Sequence, residues 1–320
     1  MKHPVVFAIV FLLLSAVVCG HITACAPPAA APSEGHGAIR FTDALGREVS
    51  LDQKPTRVAA LLGSFADVWM LAGGTLCAAA EDAWEDFGLK LDDAVNVGGA
   101  HSPSLERLLS ADPELVLASA STASHVDMKD TLEAMGITVA YFNVDHFGDY
   151  LTMLDICSDL TGRKDLYEQN GLRIQKEIRQ IKDAYAACNL TDQERTVLLL
   201  RASSGAVKAK GSEGTILGEM LADMGCINIA DGESGLLEDL SVEAVIRAEP
   251  QHIFVVTMGS DTEAAMASLS SMMTENPAWG SLRAVAEGRL HVMDKTLFNL
   301  KPNDRWGEAY RKLYETLISE

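Results

Sequence analysis

Three histidines, two aromatic rings and a few scattered cations are the side chains through which this chain could do chemistry. Imidazoles at His101, His125 and His146 can together hold a bare Zn²⁺ or Mn²⁺, although no dense His/Asp/Glu cluster surrounds them. Trp84 and Phe298 can stack on a planar or cyclic ligand, while Arg201 and Lys301 can meet carboxylates or phosphates. Ser64, Phe65, Asp145, Lys208 and Lys210 fall in the same kinds of loop. For each residue, ordinary loop surface or packing is the competing reading. Catalytic patterns are missing. There is no Gly-x-Ser-x-Gly elbow, and Gly211-Ser212-Glu213-Gly214-Thr215 lacks the Gly-Lys-Ser/Thr ending of a phosphate loop. Gly63 follows the first strand without the second glycine of a dinucleotide fingerprint. The chain reads as a binder, not an enzyme.

Such residues act together only where loops gather them. Apolar runs at 58–62, 76–80, 95–97, 115–118 and 138–142 read as strands, and so do 196–200, 207–209, 227–229, 253–256 and 290–293. Several are continuously apolar, as in Val197-Leu198-Leu199-Leu200, which suits strands covered on both faces. Alternation with helical stretches predicts α/β layers with mostly parallel sheets. Open sheets of this kind bind ligands outside the carboxyl ends of their strands, where the residues above fall. The segment Leu297-Phe298-Asn299-Leu300-Lys301-Pro302-Asn303 is expected to close the mouth. Between the halves, Tyr167, Gly171, Ile174, Ile178, Ile181 and Tyr185 recur at spacings of three and four. That pattern predicts a helix over 149–187, a strut between two lobes.

A repeat ties the halves together. Residues 104–113 read Ser-Leu-Glu-Arg-Leu-Leu-Ser-Ala-Asp-Pro and residues 241–250 read Ser-Val-Glu-Ala-Val-Ile-Arg-Ala-Glu-Pro, offset by 137 without a gap. Each predicts a short helix capped by Ser104 or Ser241, then a proline turn into a strand. Glu106 and Glu243 fall at equivalent helix starts. An acid there gains about 0.3–1 kcal/mol from the helix dipole without any partner. Alternatively, the two acids are knobs on equivalent lobes, suited to two basic pockets on a symmetric partner.

The chain opens with Met1-Lys2-His3-Pro4 and a fourteen-residue run, 5–18, that is apolar except for Ser15. A helix that short does not span about 30 Å of hydrocarbon, and the order basic, apolar, small is that of a secretory signal. Its end, Ile22-Thr23-Ala24-Cys25, resembles the lipobox of bacterial lipoproteins. The resemblance implies a cleaved leader over 1–24, diacylglycerol on Cys25, and an extracytoplasmic, membrane-anchored protein. Residues 26–38 carry Pro27, Pro28 and Pro32 among small and polar residues, and read as a disordered tether reaching roughly 40 Å if extended. Loss of 1–24 removes one of 26 cations, Lys2, and leaves 25 against 45 acids, a formal charge of −20. Such a surface repels nucleic acid and anionic headgroups. Cys77, Cys157, Cys188 and Cys226 allow three disulfide pairings, or stand as free thiols.

The stretch Thr42-Asp43-Ala44-Leu45-Gly46-Arg47-Glu48-Val49, followed by Lys54-Pro55-Thr56-Arg57-Val58, resembles the opening of the substrate-binding proteins of ABC importers for iron-siderophores, haem and cobalamin. The repeat pair matches that family's two lobe motifs, and Leu160-Thr161-Gly162-Arg163 the start of its connecting helix. Asn276-Pro277-Ala278-Trp279 and Ala284-Val285-Ala286-Glu287-Gly288-Arg289-Leu290 fit as well. The resemblance implies two Rossmann-like lobes, 39–148 and 188–320, joined by the 149–187 helix in the class III arrangement. It implies capture of a ferric siderophore, haem or corrinoid between the lobes and delivery to a permease dimer with its ATPase. Glu106 and Glu243 would then pair with arginines of that permease, and one histidine could be an axial ligand to haem or a corrin cobalt. No resident cofactor is expected, the chelate being cargo. The alternative is a carrier of a bare Zn or Mn ion, or of an oxyanion such as molybdate.

Overall fold

The computed structural model describes residues 38–232, 234–238, 240–259 and 261–319. The expected leader, Cys25 and nearly all of the tether lie outside the described residues. The described chain begins with an antiparallel hairpin of β1 (Ile39–Thr42) and β2 (Glu48–Leu51). Asp43 turns it, its carboxylate accepting from the amides of Leu45 and Arg47, and Gly46 supplies the left-handed φ of 76°. The Arg47 guanidinium reaches on to the Val139 carbonyl at 2.8 Å, pinning the hairpin to the first sheet. The sequence reading did not include this hairpin.

That sheet is wholly parallel, ordered β5-β4-β3-β6-β7, from β3 (Val58–Ala60), β4 (Ala78–Ala79), β5 (Val95–Asn96), β6 (Leu115–Ser119) and β7 (Thr138–Phe142). The second is built from β8 (Thr196–Ala202), β9 (Val207–Lys210), β10 (Ile227–Asn228), β11 (His252–Thr257) and β12 (Leu290–Val292). Its order is β10-β8-β11-β12, all parallel, with β9 antiparallel on the end of β8. Every residue of β6 and β11 is buried, as continuous apolar runs require. All ten expected strands form, several shorter or longer by one to three residues.

The repeat is structural too. The Ser104 hydroxyl accepts from the Arg107 amide to cap the helix Leu105–Ser110, and the Ser241 hydroxyl accepts from the Ala244 amide to cap Val242–Ala248. After each helix the acid before the proline, Asp112 or Glu249, takes a left-handed φ of 48° or 46°. A non-glycine residue there costs on the order of 1 kcal/mol, so its recurrence at matching positions marks one plan used twice.

The stretch read as one helix over 149–187 is two. Helix Phe147–Thr161 ends at Gly162, left-handed at φ 75°, and a second helical run begins at Lys164. This run passes through a π-helical turn, Glu168–Leu172, into Arg173–Ala186, the strut proper. The turn lies where Gly171 presses on the first helix, since a Cβ there would stand 2.9 Å from Leu151 Cδ2. Ile174, Ile178 and Tyr185 of the strut are buried, as the spacing predicts. They join Leu115 and Leu117 of the first sheet, Val197 and Leu199 of the second, and Trp306, Tyr310 and Leu313 of the final helix, Trp306–Ile318, in one core. Each sheet has a further core on its outer face. The described residues fall in one compact unit, its sheets sharing an interior.

Candidate binding site

The strand ends of the first sheet bring most of the expected residues into one region, but not all into reach of a ligand. Gly63, just after β3, is packed so closely on the next loop that a Cβ would lie 2.6 Å from the Ala83 amide nitrogen. Ser64 and Phe65 follow and are buried, Phe65 edge-on to Phe142 at 6.1 Å. Phe298 is 2% exposed within the shared core, so its ring has no open face for stacking. These three residues are framework in this structure. Trp84, on the short helix Asp82–Glu85, is half-buried at the edge of the core and keeps part of its ring open.

The histidines divide by their partners. His125 is fully buried; its Nδ1 accepts from the Ser119 amide at 3.1 Å and its Nε2 donates to the Ala100 carbonyl at 2.7 Å. An amide cannot accept and a carbonyl cannot donate, so these contacts fix a neutral tautomer with both nitrogens engaged. Burial lowers its pKa accordingly. His146 caps Phe147–Thr161, accepting from the Asp149 amide in a reciprocal box. His101 is exposed. Among the described residues no group of three or more His, Cys, Asp or Glu side chains is disposed to hold a metal ion. Cys77, Cys157, Cys188 and Cys226 are free thiols.

Acidic side chains, Asp82 and Asp149 beside the expected Asp145, give this rim its charge. Asp82, which opens the helix Asp82–Glu85 beyond β4, is raised in pKa by burial and by Asp86, with the Gly63 amide and His101 opposing, and its Oδ1 is buried without a hydrogen-bond partner. Lys301 is drawn down by burial, while Asp145, Asp82 and Asp149 act the other way. Three carboxylates thus bear on its charge. The available signal for Asp82 was the acid pair Glu81-Asp82 directly after an apolar strand run.

The segment carrying Lys301 is fastened to the first lobe instead of hanging over an open mouth. Asn303, left-handed at φ 52°, donates to the Ser64 carbonyl at 2.9 Å and to Asp67 Oδ2 at 2.7 Å. Lys295 pairs with Asp86 at 3.1 Å. Asp67 is pushed up to about 6, burial first, with Asn303 opposing and Asp304 adding.

On the second lobe, Arg201 lies at the carboxyl end of β8 and faces Lys208 across the β8–β9 pair. The Arg201 Nε is buried without an acceptor. A cavity of about 710 Å³ opens beside the strut, lined by His146, strut residues Gln175, Arg179 and Lys182, and Glu219 and Asp223 of the helix Ile216–Asp223. Its walls are paired among themselves, Lys182 with Asp223 and the Tyr310 hydroxyl with Asp223 at 2.7 Å. That places it on the hinge side, away from Arg201 and Trp84, which do not line it.

Two α/β sheets on a helical strut, with charged and aromatic groups at their strand ends, define the class of two-lobed binding proteins. The chain belongs to the family described as periplasmic binding protein, which matches residues 50–297. It is 22% identical over 278 residues, 82% of this chain and 83% of the relative, to YhfQ of Bacillus subtilis (strain 168), whose provisional name is ABC transporter substrate-binding lipoprotein. Its fold is similar to that of Staphylococcus aureus SirA complexed with staphyloferrin B, at TM-score 0.68 and 20% identity, covering 88% of this chain and 99% of that one. It is also similar to a periplasmic haem-binding protein from Pseudomonas aeruginosa, at TM-score 0.66 and 23% identity, covering 82% and 92%.

Proposed function

We propose that this chain is the extracytoplasmic substrate-binding component of an ABC importer, anchored through Cys25, and that it carries a metal chelate between its lobes to a permease dimer with its ATPase. Ferric siderophores, haem and corrinoids are the chelates in view, as cargo and not as a resident cofactor. The observation that carries the reading is the pair of matched helix starts. Glu106 and Glu243 are exposed at the second position of equivalent, serine-capped helices, with the Glu243 carboxylate accepting from the Ser241 hydroxyl at 3.1 Å. Two acids held alike on two related lobes suit two basic pockets on a symmetric partner. Their helices follow the carboxyl ends of β5 and β10, so docking and cargo share one side of the molecule. A bare-ion carrier has no observation in its favour, because His125 and His146 are engaged within the protein.

Glu106→Ala combined with Glu243→Ala is expected to abolish uptake in cells while leaving chelate affinity of the purified protein within about twofold, as for residues outside the binding contacts. Affinity that falls together with uptake would place both acids in the cleft and remove the docking role. Visible absorbance of protein purified from iron-replete or cobalamin-fed cells identifies the cargo, since haem and corrins carry bands that zinc lacks.

A further inference from the structure

Among the described residues, three cations of the second lobe, Arg201, Lys208 and Lys210, have no acid paired with them. Arg201 and Lys208 are direct partners across the antiparallel β8–β9 pair, so their side chains share one face of the sheet, and Lys210, two residues on, shares it too. The opposite face is committed, with Val207 and Ala209 packed in the outer core. Arg201 keeps a buried Nε with no acceptor. Burial alone lowers its pKa, and Lys210 is lowered by burial and then by Arg201 and Lys208. No carboxylate among the described residues acts on either group. In a chain with 45 acids and 26 Lys and Arg, a cluster of this kind runs against the average charge. Desolvating an unanswered guanidinium is costly, and an anion that completes its hydrogen bonds removes that cost.

The first lobe contrasts with this. Lys301, on the segment fastened to that lobe, has its charge favoured by Asp145, Asp82 and Asp149. The strand ends of the two sheets therefore differ in charge, cationic on the second and neutral to acidic on the first.

We infer that, if the chain carries a chelate as proposed above, that chelate is anionic and binds in one orientation. It presents at least two carboxylate or catecholate oxygens to Arg201, Lys208 and Lys210, and its less charged edge to the first lobe. A planar guanidinium engages two such oxygens at once, and the two ammonium groups add point charges beside it. A corrinoid, fringed with neutral amides, offers this wall nothing to pair with.

The test is a fluorescence titration of the mature chain with ferric citrate, a ferric tris-catecholate, haemin and cyanocobalamin. It uses the wild type, Lys208→Ala, and the triple variant Arg201→Ala/Lys208→Ala/Lys210→Ala. At least one anionic probe is expected to bind. Its affinity should fall about 10-fold in Lys208→Ala and about 100-fold or more in the triple variant, as for lost charge-assisted contacts. Raising salt from about 50 to about 500 mM should weaken the wild type and leave the triple variant nearly unchanged. Lys208 is exposed, so its substitution remains informative should the triple variant fold poorly. Cyanocobalamin binding more tightly than every anionic probe, or an anionic probe held equally well by wild type and Lys208→Ala, would overturn the anionic orientation and leave the chelate reading standing. Failure of the wild type to bind any of the four would overturn the chelate reading, and this inference with it.

Discussion

At the scale of single residues, environment decides what a side chain type can do. Asp67 lies in an otherwise apolar turn, Phe65-Ala66-Asp67-Val68-Trp69, and holds the Asn303 amide that fastens the C-terminal segment. Burial raises its pKa from 3.8 to about 6. A folded-state pKa above the unfolded value means that folding favours the protonated acid. Its contribution is fully present below the unfolded pKa and is lost as pH rises through about 6. Asp67→Asn keeps an acceptor for Asn303 and cannot ionise. It should raise stability by about 1–2 kcal/mol at neutral pH and flatten the dependence across the acid range. Urea melts on both sides of that range measure this, and a variant less stable than wild type at neutral pH would contradict it. The residue types at this rim were legible in the sequence, but their orientation was not. Nothing in the spacing of His101, His125 and His146 says that one is sealed beneath the β6 loop and another caps a helix. An acid such as Asp82 matters only through the burial that the fold gives it.

At the scale of elements, continuous apolar runs announced the strands because both faces of these sheets are covered. The β1–β2 hairpin escaped because its strands are four residues each and half-exposed, with no apolar run to mark them. The strut shows the same limit from the other side. Its buried stripe could be read, but the break at Gly162 depends on a backbone angle, and a glycine inside a helical pattern does not reveal whether it is an end or an interior position. Gly171 is the interior case, closed in by Leu151, Leu154 and Tyr167. Gly171→Val should therefore cost about 1–3 kcal/mol by overpacking, despite valine's better fit to an apolar stripe. Denaturant midpoints report it, and a neutral result would mean that the π turn can shift to make room.

At the scale of the whole molecule, one interior runs from Leu117 through Ile178 to Leu199. Lobes that share a core cannot swing apart without exposing it, so cargo binding calls for small adjustments and not wide closure. Ile178→Ala should lower stability by about 2–5 kcal/mol and shift a single calorimetric transition as a unit. Two separated transitions, with only one moved, would show that the lobes unfold independently. Trp306, Tyr310 and Leu313 belong to that same interior, and Asn303 reaches back to Ser64 in the first described helix, Gly63–Leu71. A polypeptide delivered from its first residue onward thus lacks the pieces that seal its centre until its closing helix has arrived. If the chain is exported as proposed, that late sealing would keep it open for the length of its passage across the membrane.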